Sequence, residues 1–246
     1  MARLKTLAIS DIPQALELSG AEGWNQTEKD WKFLMEHPGN VCLAVEDNGK
    51  TVGTATAIIY ENQVAWIGMV LVEKGHRGRG YSKLLLNEIL KRLKAIKTIK
   101  LDATPAGQPV YQKFGFRNER VINRMILESS LTNFPDLVNG NRTTRIQSAD
   151  IPEIIKYDAE IFGARRNQLI EYLVRENPEN IWLVKQNSVL KGLALGRKGT
   201  RFFHIGPVLA DSEKETRMLL SQMINMSPQM PVVADVLEDK RELTNG

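Results

Sequence analysis

The chain has little of what would mark a secreted or membrane protein. One of its 246 residues, Cys42, is a cysteine, so no disulfide can form within the chain. Its longest apolar run, residues 64–72, is too short to cross a bilayer. Residues 1–6 lack the apolar core of a signal peptide. We therefore expect a reduced, soluble, cytoplasmic protein without a membrane partner, in which Cys42 is a small buried side chain.

The chain also lacks a strong excess of one charge. Its 33 Lys and Arg and 29 Asp and Glu give a net charge of +4, spread evenly along the sequence. Because neither half forms a basic arm, a nucleic-acid partner is not indicated. The densest basic cluster, in residues 91–100, is typical of a solvated face at the end of a helix. The composition is that of a globular protein, long enough for one large domain or two small ones.

A basic, glycine-rich turn at residues 73–80 is the most informative feature. It lies between the apolar run 64–72, which predicts a buried strand, and a helical pattern from about residue 80. Glycines allow backbone amides to approach phosphate oxygens, and the first turn of a helix supplies unpaired amides and a positive dipole end. Arg77 and Arg79 add charge that suits a diphosphate. The alternative is a surface turn with incidental charge.

The spacing of this turn excludes the two commoner phosphate-binding loops. It has no Gly-Lys-Ser/Thr of a Walker loop, and Gly78-x-Gly80 is not completed by a third glycine, since residue 83 is Lys. The segment Arg77-Gly78-Arg79-Gly80-Tyr81-Ser82 instead resembles the Arg/Gln-x-x-Gly-x-Gly/Ala loop of the GNAT N-acetyltransferase superfamily, which binds the pyrophosphate of acyl-CoA. Ser82 departs from this pattern, because Gly or Ala is usual there.

A second motif strengthens the resemblance. The segment 101–116 is similar to the superfamily's strand and short helix that carry Tyr-x-x-x-Gly-Phe, here Tyr111 to Phe116. The family often has Asn seven places before that tyrosine, and Thr104 occupies the position. Two motifs in the right order predict a GNAT domain, which is an α/β (α+β) fold around a mixed sheet.

The second half of the chain appears as a repeat of the first. Ser10-Asp11-Ile12-Pro13 recurs as Ala149-Asp150-Ile151-Pro152 at a shift of 139, and residues 67–71 match residues 205–209 at a shift of 138. We therefore predict two tandem GNAT copies. The predicted boundaries are an acetyltransferase domain over 1–128, a linker over 129–142 that contains Pro135, Asn139, Gly140 and Asn141 without a sustained period, and a second domain over 143–246.

The second copy is predicted to be degenerate and shortened. At a shift of 138, Arg77, Gly80 and Ser82 correspond to Glu215, Met218 and Leu220. The turn 211–215 is acidic and contains no glycine. Such a turn would repel a pyrophosphate. No counterpart of the Tyr-x-x-x-Gly-Phe motif follows residues 232–236. The layout resembles tandem acetyltransferases that have an active N-terminal copy.

The family resemblance implies acetyl-CoA as the co-substrate and no metal. It assigns cofactor binding to the loop, to the end of the preceding strand and to Thr104. The pantetheine arm would pair with main-chain groups at the end of that strand. An amide near Val70 would bond the thioester oxygen as it becomes an oxyanion. The predicted cofactor-binding residues are Val70, Leu71, Val72, Arg77, Gly78, Arg79, Gly80, Tyr81, Ser82 and Thr104.

Tyr111 is the predicted general acid, because a phenol is protonated at neutral pH and can deliver a proton to a thiolate. The alternative is a tyrosine packed beside Phe114 and Phe116. Asp102 is a weaker choice for a supporting role. No base is evident, since some family members place a Glu on the central strand and residues 64–66 contain none.

The family resemblance places the acceptor beside the segment between the first two helices. Trp24, Asn25 and Trp31 are the predicted substrate-binding residues, although a tryptophan that fills the core is an equally good interpretation of Trp24. Arg165, Arg166 and Arg197 of the second copy could favour an anionic acceptor.

The predicted activity is acetyl transfer from acetyl-CoA to a primary amine of a small molecule or peptide, by direct attack in a ternary complex. Two other interpretations remain: an acyl-CoA sensor without turnover, and an interaction module whose functional surface is the second copy.

Overall fold

The computed structural model describes residues 2–128, 143–227 and 229–238, so the predicted linker 129–142 lies outside the described residues. The chain divides into two compact units, Met1–Phe116 and Arg117–Gly246. Within the described ranges, no helix has the length and apolar character needed to cross a membrane.

The first unit is a five-stranded sheet covered by helices. Its elements in chain order are β1 (Arg3–Thr6), α1 (Ile12–Ala21), α2 (Glu28–Glu36), β2 (Val41–Asp47), β3 (Lys50–Tyr60), β4 (Val64–Val72), α3 (Tyr81–Arg92), β5 (Thr98–Leu101) and α4 (Gln108–Gln112). The strands are ordered β1-β2-β3-β4-β5, antiparallel except for the parallel pair β4 and β5. The strand predicted over residues 64–72 is therefore confirmed.

Alternation along the strands divides the core of this unit between the two sheet faces. Leu43 of β2 and Ile67 of β4 pack with Leu85 and Ile89 of α3 on one face. The neighbouring positions of β2 pack with α1 and α2 on the other face, in a cluster that includes Cys42. The predicted burial of Cys42 is confirmed, and burial raises the pKa of its thiol to about 12. Because both faces are covered, the sheet is a rigid support for the residues at its ends.

The second unit repeats this order around a six-stranded sheet. Its elements are β6 (Ile122–Leu127), β7 (Thr143–Arg145), α5 (Ile151–Phe162), α6 (Asn167–Glu176), β8 (Ile181–Gln186), β9 (Val189–Lys198), β10 (Phe203–Ala210), α7 (Glu213–Asn225) and β11 (Val232–Leu237). The strands are ordered β6-β11-β10-β9-β8-β7. β7 to β11 match β1 to β5, including the parallel pair β10 and β11. Two copies of one α/β fold are thus confirmed.

The strand β6 pairs outside the first sheet. Ile122–Leu127 falls within the range 1–128 that the sequence predicted for the first domain, but it pairs antiparallel with β11 of the second sheet. The directly opposed residues Arg124 and Asp235 form two hydrogen bonds of 2.8 and 2.7 Å. β6 therefore covers an edge of β11 that would otherwise expose unpaired amides and carbonyls.

Candidate functional site

The glycine-rich turn lies where β4 passes into α3, as the sequence predicted. Gly78 and Gly80 have φ of +80° and +84°, and Gly80 directly precedes α3. Side chains at such φ values clash with the backbone, so glycine is the residue that adopts them without strain. A Cβ atom at either glycine would meet nothing within 4 Å, which shows that the turn is open on its outer side.

Unpaired amides converge at the start of α3. The first backbone bond of this helix runs from the Leu84 amide to the Gly80 carbonyl at 3.0 Å. The amides of Tyr81, Ser82 and Lys83 precede that bond and have no carbonyl one turn earlier within the helix. Their dipoles sum to a positive end, which attracts an anion.

The two arginines of the turn are held by carboxylates from neighbouring elements. Arg77 donates to the Val72 carbonyl at 3.2 Å and forms an ion pair with Glu22, the residue that follows α1. Arg79 lies 3.8 Å from an oxygen of Asp47. Both arginine side chains are about half exposed, so solvent and ligands can reach them.

The Tyr81 side chain contacts Asp47 and His76, next to the turn. Its hydroxyl lies 3.5 Å from Asp47, and its ring stacks on that of His76 with the centroids 6.3 Å apart. His76 also contacts Glu73 at 2.5 Å. Tyr81 can therefore offer its amide to a phosphate, while its partly buried side chain packs against the core.

β4 and β5 separate before β4 ends. They pair from Val64 opposite Thr98 to Ile67 opposite Leu101, and beyond this point β4 continues for five residues, 68–72. In the described part of the chain, no strand pairs with this edge of 68–72. An extended ligand could add to such an edge as a further strand.

A bulge shapes the separated part of β4. The pairing of β3 with β4 shifts between Thr54 and Thr56, and Met69 has φ of +51°. The buried hydroxyl of Thr54 donates to the Met69 carbonyl at 2.8 Å, and that of Thr56 to the Gly68 carbonyl at 3.2 Å. These bonds fix the main chain just before Val70. Leu71 is buried in the core, whereas Val70 and Val72 are partly exposed.

Tyr111 lies on α4, against the α3 face of the sheet. Its ring meets that of Phe116 edge to face, with the centroids 6.2 Å apart. Burial raises the pKa of the Tyr111 hydroxyl, so the phenol stays protonated throughout the neutral range. Thr104 accepts a 3.2 Å hydrogen bond from the Gly107 amide and so supports the start of α4.

The predicted acceptor residues differ in exposure. Trp24 is partly exposed and packs at the margin of the α1–α2 core, and Asn25 is buried. Trp31 has no exposed surface, so its side chain supports this region from inside and does not reach a ligand in this conformation. Arg166 of the second unit is held by the buried carboxylate of Asp158 at 2.9 Å.

A polar pair that the sequence did not predict lies where β4 and β5 separate. The indole Nε1 of Trp66 donates to Oδ2 of Asp102 at 3.0 Å. The parallel register aligns Trp66 with Lys100, two residues before Asp102, so Trp66 and Asp102 share a sheet face. The alternation of side chains along the two strands could have indicated this pair, but only if the register of β4 with β5 had been known.

The connection between β10 and α7, whose residues are all described, has no equivalent of the glycine-rich turn. Eight residues, 73–80, separate β4 from α3, whereas Asp211 and Ser212 alone separate β10 from α7. The predicted correspondence at a constant shift of 138 was wrong here, because a six-residue gap intervenes. Glu215, Met218 and Leu220 lie inside α7 and do not replace Arg77, Gly80 and Ser82.

In the residues that the structure describes, no group of three or more His, Cys, Asp or Glu side chains could hold a metal ion.

Two family models match the chain. The model of the acetyltransferase (GNAT) family matches residues 9–116, and that of an acetyltransferase (GNAT) domain matches residues 154–245. The first match ends where the first compact unit ends.

Curated relatives are distant in sequence. The holothin acyltransferase of Pseudoalteromonas sp. (strain SANK 73390) is 23% identical over 183 residues, which are 74% of this chain and 60% of that protein. The uncharacterized N-acetyltransferase YitH of Bacillus subtilis (strain 168) is 22% identical over 229 residues, 93% of this chain and 79% of the relative.

Solved structures show the same fold over both copies. A candidate acetyltransferase of Pyrococcus horikoshii superposes with a TM-score of 0.72 at 21% identity, covering 94% of this chain and 79% of that one. A GCN5-related N-acetyltransferase of Sphaerobacter thermophilus gives 0.68 at 16% identity, covering 96% and 86%. The fold, the paired units and the two family matches agree, and the chain belongs to the GNAT acetyltransferase family, with two GNAT domains in tandem.

Proposed function

We propose that the first unit transfers an acetyl group from acetyl-CoA to a primary amine. The observation that carries this proposal is the juxtaposition of an open, amide-rich turn with an unpaired strand edge. The turn 78–82 suits a pyrophosphate, and the edge 68–72 suits the amide-containing arm that follows it in CoA.

The main chain of β4 would bind the thioester. The bulge at Met69 is fixed by the Thr54 and Thr56 hydroxyls, and the next amide is that of Val70. We assign to this amide the hydrogen bond to the carbonyl oxygen, which gains negative charge as the amine attacks. An amide held in place before the reaction stabilises the oxyanion without reorganisation.

Tyr111 would complete the transfer. The neutral amine forms a C–N bond to the carbonyl carbon, the C–S bond breaks, and the thiolate takes the proton of the Tyr111 hydroxyl. The proton lost by the amine passes to solvent, from which the phenolate is reprotonated. The raised pKa of Tyr111 supports this role, because the hydroxyl still carries its proton at neutral pH.

The second unit is assigned no acetyl transfer of its own. Asp211 and Ser212 replace the eight-residue turn, and the Asp211 carboxylate already pairs with Lys191 at 2.9 Å. A short acidic connection offers a pyrophosphate neither positive φ glycines nor arginines. We propose that this copy has lost the cofactor site.

One observation favours a second candidate function, an acyl-CoA sensor without turnover. β4 carries no carboxylate along Val64–Val72, so no group on that strand can remove the proton of the amine. The two functions are separated by following thiol release from acetyl-CoA with a panel of primary amines. Amine-dependent release supports transfer, whereas CoA binding without amine-dependent release supports the sensor.

A further inference from the structure

The hydroxyl of Thr54 holds the peptide group that contains the Val70 amide. It donates to the Met69 carbonyl at 2.8 Å, and Thr54 has no exposed surface. The Met69–Val70 peptide bond is trans, because Gly206–Pro207 is the one cis bond among the described residues. In a trans peptide, the carbonyl oxygen and the following amide hydrogen point in opposite directions. The bond from Thr54 therefore aims the Val70 amide away from β3.

The side of β4 that faces away from β3 is the unpaired edge. β4 continues beyond its last pair with β5, Ile67 opposite Leu101, and in the described chain no strand pairs with residues 68–72 on that side. A ligand that adds to this edge would meet the Val70 amide as a further strand meets the amides of its neighbour. Thr54 thus lies behind the amide, on the neighbouring strand.

Thr56 holds the other peptide group of the same bulge. Between the Thr54–Leu71 and Thr56–Gly68 pairs, one residue of β3 lies opposite two of β4. The Thr56 hydroxyl, which is also buried, donates to the Gly68 carbonyl at 3.2 Å. Met69 has φ of +51°, which is unfavourable for a residue with a Cβ atom. The two hydroxyls therefore stabilise a main-chain conformation that is otherwise unfavourable.

The second unit carries leucine at both positions. The pairing of β3 with β4 and that of β9 with β10 align Thr54 with Leu193 and Thr56 with Leu195. Both leucines are fully buried, so this place in the fold accepts an apolar side chain. The two hydroxyls are therefore not required by the fold itself. They occur in the copy whose strand leads into the glycine-rich turn, and not in the copy whose connection lacks it.

We propose that Thr54, supported by Thr56, is a positioning residue for acetyl transfer, which aims the Val70 amide at the thioester oxygen. The inference rests on the proposed acetyl transfer and goes beyond it, since it makes the rate of the chemical step depend on a buried hydroxyl of the neighbouring strand. A donor that is fixed before the reaction stabilises the oxyanion most. Loss of the hydroxyl should therefore lower kcat and leave the affinity for CoA nearly unchanged.

Thr54→Val removes the hydroxyl and keeps the branched shape of the side chain, whereas Thr54→Ser keeps the hydroxyl. Thiol release from acetyl-CoA, with the most reactive amine of a panel, measures kcat. We expect a fall of about tenfold in Thr54→Val, which is part of the loss that removal of a whole oxyanion donor causes. Thr54→Ser should recover a kcat near that of the parent.

Thr51→Val is the matched control. Thr51 lies on the same strand, and its buried hydroxyl donates to Asp11 at 3.0 Å, away from the bulge. This variant also loses one buried hydrogen bond, so its melting temperature should fall in the same direction as that of Thr54→Val. Its kcat should match that of the parent.

A second measurement does not depend on turnover. The amide signal of Val70 is followed by NMR in the full ¹⁵N-labelled chain, saturated with CoA or with acetyl-CoA and without an amine, and Val70→Ile identifies the signal. Acetyl-CoA has the thioester carbonyl and CoA lacks it, so the difference between the two positions reports the bond to that oxygen. We expect a difference in the parent and in Thr54→Ser, and a smaller one in Thr54→Val.

Three results would overturn the inference: no Val70 difference in the parent, parent kcat with an undiminished Val70 difference in Thr54→Val, or a kcat of Thr54→Ser as low as that of Thr54→Val. Thr56→Val removes the longer bond and makes the same comparison if Thr54→Val does not fold.

The proposed function fails separately. A parent chain that binds acetyl-CoA without amine-dependent thiol release contradicts acetyl transfer, and the Val70 comparison then still decides the role of Thr54. A parent chain that turns over while Thr54→Val and Thr56→Val match it contradicts this inference alone. A parent chain that binds neither CoA nor acetyl-CoA contradicts both.

Discussion

Asp11 and Asp150 each accept hydrogen bonds from a lysine ammonium and from the amide three residues earlier. Asp11 accepts hydrogen bonds from the Lys5 ammonium at 2.7 Å and from the Ala8 amide at 2.8 Å. Asp150 accepts its bonds from Lys185 at 2.7 Å and from the amide three residues before it at 2.7 Å. The lysine comes from β1 in the first copy and from β8 in the second. Because β8 corresponds to β2, the amide bond to the aspartate is repeated between the copies, whereas the ammonium comes from a non-equivalent strand.

Asp11→Asn should destabilise the protein in a pH-dependent way. Burial alone would raise the pKa of Asp11, but hydrogen bonds from Lys5, Ala8 and Thr51 outweigh it and lower the pKa in the folded state. The stabilisation is therefore present above the unfolded carboxyl pKa of about 3.9 and is lost as pH falls through the lower folded pKa. We expect a loss of about 1–3 kcal/mol in the free energy of unfolding near neutral pH.

Urea unfolding at several pH values measures this effect. The difference between Asp11→Asn and the parent protein should shrink as the pH falls below the ordinary carboxyl value. A difference that stays constant into the acid range would contradict the assignment. Asp150→Asn should behave in the same direction, because its pKa is also lowered, chiefly by the Lys185 hydrogen bond.

Tyr111→Phe should lower kcat about 100-fold while leaving the affinity for acetyl-CoA nearly unchanged, since it removes one proton donor and keeps the ring. Burial raises the pKa of Tyr111. The activity that depends on its proton should therefore persist through neutral pH and fall as the pH rises through that pKa. Steady-state rates across the alkaline range measure both effects.

Tyr157→Phe is the matched control for this prediction. The Tyr157 hydroxyl lies in the second unit and donates to Asp211 at 2.8 Å. Its loss should leave kcat unchanged. Equal turnover by Tyr111→Phe and the parent would remove Tyr111 from the mechanism.

Gly80→Ala should weaken CoA binding about tenfold and cost about 1 kcal/mol of stability, because φ of +84° is strained for alanine. Gly20→Ala is the control. Gly20 lies within α1, and a Cβ there meets nothing within 4 Å, so alanine should stabilise the helix by about 0.5–1 kcal/mol. Calorimetric titration and thermal unfolding measure the two variants. Undiminished CoA affinity in Gly80→Ala would count against the turn as the phosphate site.

Arg77→Ala should weaken CoA binding about tenfold with little change in melting temperature. A charge-assisted bond to phosphate contributes substantially, whereas an exposed ion pair such as that with Glu22 contributes little to folding. Arg92→Ala removes a similar exposed pair, with Glu88 at 2.9 Å, from the far end of α3. The affinity of this control should match the parent. Affinities measured at two salt concentrations should converge for Arg77→Ala and the parent as salt screens the charge.

Local patterns predicted much of the fold. The apolar run 64–72 is β4, and the turn 73–80 connects it to α3, which begins at Tyr81. Each of these depends on neighbours in sequence, such as apolar periodicity or glycines before a helix. The same reasoning identified the repeat through segments of constant spacing.

What the sequence missed depends on long-range pairing or on chain length between elements. The partner of β6 is a strand more than a hundred residues later, and nothing local in residues 122–127 specifies it. The Trp66–Asp102 pair needs the β4–β5 register. The connection between β10 and α7 was aligned incorrectly with the turn 73–80, because a constant shift between the copies cannot show that six residues are missing. Trp31 was predicted to bind substrate because it follows closely after the segment between the first two helices. Its full burial depends on packing with other elements, which the local sequence does not show.

The most direct test of the cofactor site is a calorimetric titration of the full chain with CoA, compared with pantetheine, which lacks the phosphates. If the amides of residues 78–82 hold the pyrophosphate, CoA should bind with one site per chain and pantetheine far more weakly. No binding of CoA, equal affinity for the two compounds, or two CoA sites per chain would contradict the account.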